Sequence, residues 1–330
     1  MMIDKEKTSS KKVIQGMILF VLYLFVLFFL VKYISNNPQM MEKIKNAPPR
    51  LVGLGILTTV LGITLTALLD ITCTKVYGMK LDVKDAVFFT FIASAINLVV
   101  PLQAGSILKA VYYKRRMKLT YSRFISITSG TIVINVIMTF FVLIISLFIL
   151  MLGWHIDKKY IVFALIVFFV GISALLLVIC KQDKILGILP FKKYTYPIMS
   201  GFFEIFNNRR AIVLCSANYI FTMLLGGIRF ATIFMLLEIS SDVANGLLYY
   251  GLYNVSSLVH LLPGNVGISE GFVGLMNMLL GADFDTGVTA VFINRIYYYI
   301  AAFAGTLLFS VPAWLLYSKE ESQDECIDNK

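Results

Sequence analysis

The sequence predicts an all-α polytopic membrane protein with about six to eight transmembrane helices and two broken or re-entrant segments. Three observations predict it. Of the 330 residues, 58% are hydrophobic and the mean hydropathy is +0.82, whereas a soluble domain is about 45–50% apolar. The excess is gathered into long apolar blocks at 13–31, 51–69, 125–152, 161–179, 211–237 and 287–316. At about 1.5 Å per residue, roughly 20 such residues cross a hydrocarbon core of about 30 Å. The blocks are also continuous. A lipid-facing barrel would alternate apolar and polar residues, and lipid admits only helices or closed barrels, so helices remain.

The elements follow in chain order. Residues 1–12 are polar and mostly basic and read as a cytoplasmic tail. Block 13–31 follows Lys11 and Lys12, as a signal peptide would, but no small-x-small cleavage site comes after it. It reads as a retained first transmembrane helix. Pro38, Pro48 and Pro49 punctuate the next loop, and the second block closes near Asp70. Residues 87–101 are apolar but short for a crossing. Before them stand Lys75, Lys80 and Lys84; after them stand Lys109, Lys114, Arg115, Arg116, Lys118 and Arg123. The positive-inside rule places both flanks on the cytoplasmic side, so this segment reads as a re-entrant hairpin.

A long helix then runs to 152 and another to Cys180, followed by a basic, semi-apolar connector with an interfacial part. Block 211–237 leads to the acidic turn "EISSD", then to an apolar run that breaks at "LLPGNVGISEG", and then to the last block. Residues 13–318 are expected to form a single transmembrane domain, and 319–330 an acidic, disordered tail.

The break contains Pro263, Gly264, Gly267, Glu270 and Gly271. It echoes the first short segment, because Pro101 precedes Gly105 as Pro263 precedes Gly267. Broken segments at matching places in two halves are the mark of inverted-repeat transporters, while an ordinary interhelical loop is the plainer reading. A broken helix frees backbone N–H groups that suit an anionic group, provided protein or a water-filled cavity receives them.

Three charges inside apolar stretches are candidate functional residues by the same cost argument. Glu270 has Arg295, in the last block, as its candidate partner; a purely architectural ion pair is the competing reading. Arg229 lies well inside its block after Gly226 and Gly227, and should face the interior or snorkel. Lys109, Arg115 and Arg116, with Tyr112 and Tyr113, fit a site for anionic headgroups, and a topology signal explains the same charges. Asp70 is a weaker case, reading as interfacial.

The net charge of +10 is accounted for by loop orientation and anionic headgroups, so no nucleic-acid partner is inferred. Cys73, Cys180, Cys215 and Cys326 lack metal or redox spacing, and His155 and His260 are far apart. No metal site, disulfide, cofactor or catalytic constellation is expected.

At these residues the chain resembles the flippase-like transmembrane domain of the lysylphosphatidylglycerol synthase family, the multiple peptide resistance factor group. "PLQAGSILKAVYYKRRMKLTYSRF" is similar to the family's P-L-x-x-G-E-x-x-R pattern and basic patch, and "LLPGNVGISEGFVGL" to its P-G-x-x-G-x-x-E. Arg295 is placed like the arginine that opens the family's last helix, with Gly305 following. The chain departs from the pattern at Ser106, where glutamate is usual, at Lys109, where arginine is usual, and at "SGTIVINVIM", which lacks an acid–arginine pair. The resemblance implies movement of an anionic lipid between leaflets of the plasma membrane, by a multi-pass chain with a cytoplasmic N-terminus. Family members append a soluble domain that transfers lysine from lysyl-tRNA to phosphatidylglycerol; residues 1–330 are expected to lack that activity. A membrane subunit beside a partner synthase or glycosyltransferase, and a small-molecule transporter, stay open as alternatives, as does the oligomeric state.

Overall fold

The computed structural model describes residues 38–100, 103–153, 203–239, 241–257, 265–280 and 282–328, with Phe28, Lys32 and Ser200 besides. Among the described residues the chain is helical throughout. The helices are α1 (Pro38–Lys45), α2 (Pro49–Val76), α3 (Val83–Val99), α4 (Ala104–Met117), α5 (Tyr121–Gly153), α6 (Arg209–Leu236), α7 (Val243–Ser256), α8 (Ile268–Leu279) and α9 (Phe284–Asp328). The expected crossings at 13–31 and 161–179, most of the connector, and Pro101, His260, Pro263 and Gly264 lie outside the described residues.

Among the described residues, four helices are long and apolar enough to cross a membrane: α2, α5 over Tyr121–Leu150, α6, and α9 over Phe284–Phe309. Their burial pattern is that of a bundle in lipid. On α2 the exposed side is Leu54, Leu57, Leu61 and Leu68, while the buried side is Gly55, Thr58, Thr59, Gly62 and Ala67. Water would not tolerate such an apolar stripe, and small inward residues let helices approach closely in lipid. The hydroxyls of Thr58 and Thr59 donate to the Gly55 carbonyl at 2.9 and 2.7 Å, which satisfies them within the helix.

Helices α2 and α6 form an antiparallel central pair. Cys73 stands 3.6 Å from Cys215, Asn218 Nδ2 donates to the Leu65 carbonyl at 2.9 Å, and Arg229 Nη1 donates to Thr59 Oγ1 at 3.3 Å. After each of these helices comes a helical hairpin: α3–α4 after α2, and α7–α8 after α6. Because α2 and α6 run oppositely, the two hairpins enter the bundle from opposite ends.

The two halves match closely. Both central helices have 28 residues. Gly78 (φ 69°) follows α2, and 160 positions further on Glu238 (φ 62°) follows α6. Asp82 caps α3 through the Lys84 N–H, and Asp242 caps α7 through the Asn245 N–H. Gln103 (φ 54°) and Asn265 (φ 55°) are left-handed where each hairpin turns back. Packing repeats too: α3 lies on α9 as α7 lies on α5, and α2 packs on α9 as α6 packs on α5. These correspondences give the weak proline–glycine echo of the sequence the form of an inverted repeat.

Two boundaries differ from expectation. Helix α2 does not close near Asp70 but continues to Val76, because Asp70 is neutralised inside the bundle, as described below. The backbone of α9 runs helically to Asp328, through residues expected to be disordered; Glu and Gln are good helix formers and extend an established helix at little cost.

Candidate functional site

The second hairpin returns through Gly267, whose φ of 84° suits a residue without Cβ. Its N–H is one of the orphan donors at the start of α8, and Glu270 Oε2 accepts from it at 2.8 Å. The other oxygen of the same carboxylate, Oε1, accepts from Arg295 Nε at 2.9 Å and pairs with Nη2 at 2.7 Å. Glu270 therefore caps α8 and clamps it to α9. The expected partnership of Glu270 with Arg295 is present, and Arg295 is engaged by it.

Arg229 lies beside this pair. Its Nε donates to Asn294 Oδ1 at 2.6 Å, and Nη1 to Thr59. The guanidinium stacks over Tyr298 and Tyr250, 4.8 and 5.3 Å from the ring centroids. Asn294 directly precedes Arg295 in α9, so the Arg229 contact and the Glu270–Arg295 pair adjoin. Arg229, Glu270 and Arg295 are only 1%, 2% and 4% exposed. Among the described residues, two guanidinium charges thus face one carboxylate in a buried setting.

The first hairpin carries a different lock. The Gly105 N–H donates to Asn97 Oδ1 at 2.8 Å, tying the two arms together. A Cβ at Gly105 would run into the Ala93 carbonyl of α3, so the close approach of the arms requires glycine. One turn on, Lys109 is paired with Asp70 of α2, and its Nζ also donates to Thr90 Oγ1 at 3.2 Å. The Tyr113 hydroxyl donates to the same Asp70 oxygen at 3.0 Å.

The sequence-derived set is therefore divided in space. Glu270, Arg295 and Arg229 are brought together. Lys109 is buried apart from them: Asp70 stands eleven residues along α2 from Thr59, about 16 Å of helix. Arg115 and Arg116 are exposed on the last turn of α4. Gly271 lies inside α8 with open space where a Cβ would stand, so packing does not demand glycine there. Residues not singled out from the sequence are Asn294, Thr59, Tyr250 and Tyr298. Asp70 was given too little weight; a carboxylate within an apolar block was the available signal. No group of three or more His, Cys, Asp or Glu side chains suited to a metal ion occurs among the described residues.

These buried donors and charges lie where α8 begins, at the returning arm of the second hairpin, in a bundle whose outer face is apolar. A search of the curated proteins finds no match to this chain. The family described as "Lysylphosphatidylglycerol synthase TM region" matches residues 12–305, which span both hairpins, both charge locks and all four crossing helices to within a few residues. The chain belongs to that lysylphosphatidylglycerol synthase transmembrane-region family.

Proposed function

We propose that this protein binds an anionic phospholipid, or a related envelope lipid, by its headgroup and carries it between leaflets of the plasma membrane. The observation that supports this best is the buried cluster of Arg229, Arg295 and Glu270, which among the described residues holds two positive charges and one negative. Taking an ion out of water costs several kcal/mol even after relaxation, and a buried charge without a counter-ion is costlier still. A lipid phosphate is an anion that a membrane can deliver sideways to such a site. The inverted hairpins supply one charged lock toward each end of the bundle, the layout on which alternating access rests.

On the same proposal, the end where Lys75, Lys80, Lys84, Lys114, Arg115, Arg116, Arg209 and Arg210 gather is cytoplasmic, by the positive-inside rule. The other end mixes Glu238, Asp242, Asp283 and Asp285 with Lys43, Lys45 and Arg50. With 13–31 as a crossing, the N-terminus is then cytoplasmic.

Reconstitution into vesicles with fluorescent phosphatidylglycerol tests the proposal. Wild type is expected to speed transbilayer exchange over empty vesicles, and Glu270→Ala with Arg295→Ala to lose most of that rate. Equal rates for both proteins would remove the site from the function. The family's description favours a second reading, a membrane subunit serving a lipid-modifying synthase. A synthase or glycosyltransferase that co-purifies, with no exchange by the protein alone, would support it.

A further inference from the structure

Two donor groups in the buried cluster have no hydrogen-bond acceptor among the described residues: Arg229 Nη2 and Asn294 Nδ2. They belong to side chains already joined, because Arg229 Nε donates to Asn294 Oδ1. Asn294 is fully buried and Arg229 nearly so. Unsatisfied buried donors are uncommon and costly, and a charged one costs more. The rings of Tyr250 and Tyr298 offset part of the guanidinium charge but supply no full counter-charge. Position 294, the partner of Nε, is an amide where a carboxylate would have neutralised Arg229.

We infer that Arg229 and Asn294 form an oxyanion subsite for a monoanionic phosphate or phosphodiester group. Its charge neutralises Arg229, and its oxygens accept from Arg229 Nη2 and Asn294 Nδ2. Asn294 does two things there: its oxygen orients the guanidinium and its nitrogen is left for the ligand. The Glu270–Arg295 pair completes the electrostatics by fixing α8 against α9 beside the subsite. This deepens the lipid-carrying proposal and rests on it only for the source of the anion, which is either a lipid headgroup or free phosphate.

The test compares wild type and Asn294→Asp, as the full chain in neutral detergent, by thermal unfolding with added phosphatidylglycerol or inorganic phosphate. The aspartate keeps the shape and the acceptor for Arg229 Nε but supplies the missing negative charge. Wild type is expected to melt higher as anion is added. A response to phosphatidylglycerol alone assigns the subsite to a lipid headgroup; an equal response to millimolar inorganic phosphate assigns it to the free anion. Asn294→Asp is expected to melt higher than wild type without ligand and to bind at least about tenfold more weakly, the loss of roughly one charge-assisted hydrogen bond. Should this variant fail to fold, Arg229→Lys takes its place, keeping the charge but not the planar donors, with the same expected weakening. No response of wild type to either anion, or an undiminished response of the variant, overturns the subsite. Exchange activity with undiminished binding by the variant overturns the subsite alone; binding lost in the variant, with no exchange by wild type, overturns the carrier proposal alone.

Discussion

One carboxylate does two jobs at the second hairpin. Glu270 caps α8 through the Gly267 N–H and holds Arg295 of α9, 25 residues further along the chain. Removing either partner leaves the other charge buried, which costs about 3–5 kcal/mol. Removing both leaves no orphan charge and costs less than the two singles together. A thermal-unfolding cycle of Glu270→Gln, Arg295→Gln and the double variant should therefore show a coupling of roughly 1–3 kcal/mol. Additive losses would mean that the two side chains do not depend on each other. This pairing was legible in the sequence, because a lone acid and a lone base inside apolar stretches have few ways to avoid each other in lipid. Asn294 and Thr59 were not legible: an amide and a hydroxyl carry no charge penalty, and nothing local marks them as ligands of Arg229.

At the scale of elements, the central pair of α2 and α6 joins the two repeats. Small residues on their contact faces, and a Gly227–Gly246 approach that leaves no room for a Cβ, bring α2, α6 and α7 together with little apolar side chain between them. The buried thiols of Cys73 and Cys215 meet across this pair as free cysteines. Oxidation of membranes with copper phenanthroline should join them in an intramolecular disulfide, reversed by reductant and absent in Cys215→Ser. A mobility shift on gels reads this, and no cross-link in wild type would contradict the antiparallel register of α2 on α6. The hairpins themselves were half legible. Residues 87–101 are too short for a comfortable crossing, and proline–glycine breaks mark the turns. The Asp70–Lys109 lock was missed because its partners are far apart in sequence, and because a charge near the end of a predicted helix is easily taken as interfacial.

For the molecule as a whole, the inverted repeat makes a statement about sidedness. The loop after α2 and the loop after α6 must face opposite sides of the membrane, since α2 and α6 are antiparallel. A cysteine placed at Lys80 and another at Ser241, each in a chain lacking Cys73, Cys180, Cys215 and Cys326, should react with a membrane-impermeant maleimide from opposite faces of sealed vesicles. The charge sorting predicts that Lys80 reacts from the cytoplasmic face. Labelling of both from one face would break the repeat assignment.

Long uncharged blocks already make this chain helical and membrane-embedded, since hydrocarbon offers backbone groups no partner but the helix and tolerates no charge without reason. The same cost picks out the charges inside those blocks. Their pairing comes from packing: Lys109 with Asp70, Arg295 with Glu270, and Arg229 with an amide, a hydroxyl and two aromatic rings. Pairing energies depend on distance in three dimensions, and helices far apart in sequence set those distances by packing. The setting of Arg229 beside the second hairpin is therefore a property of the bundle and of no single segment.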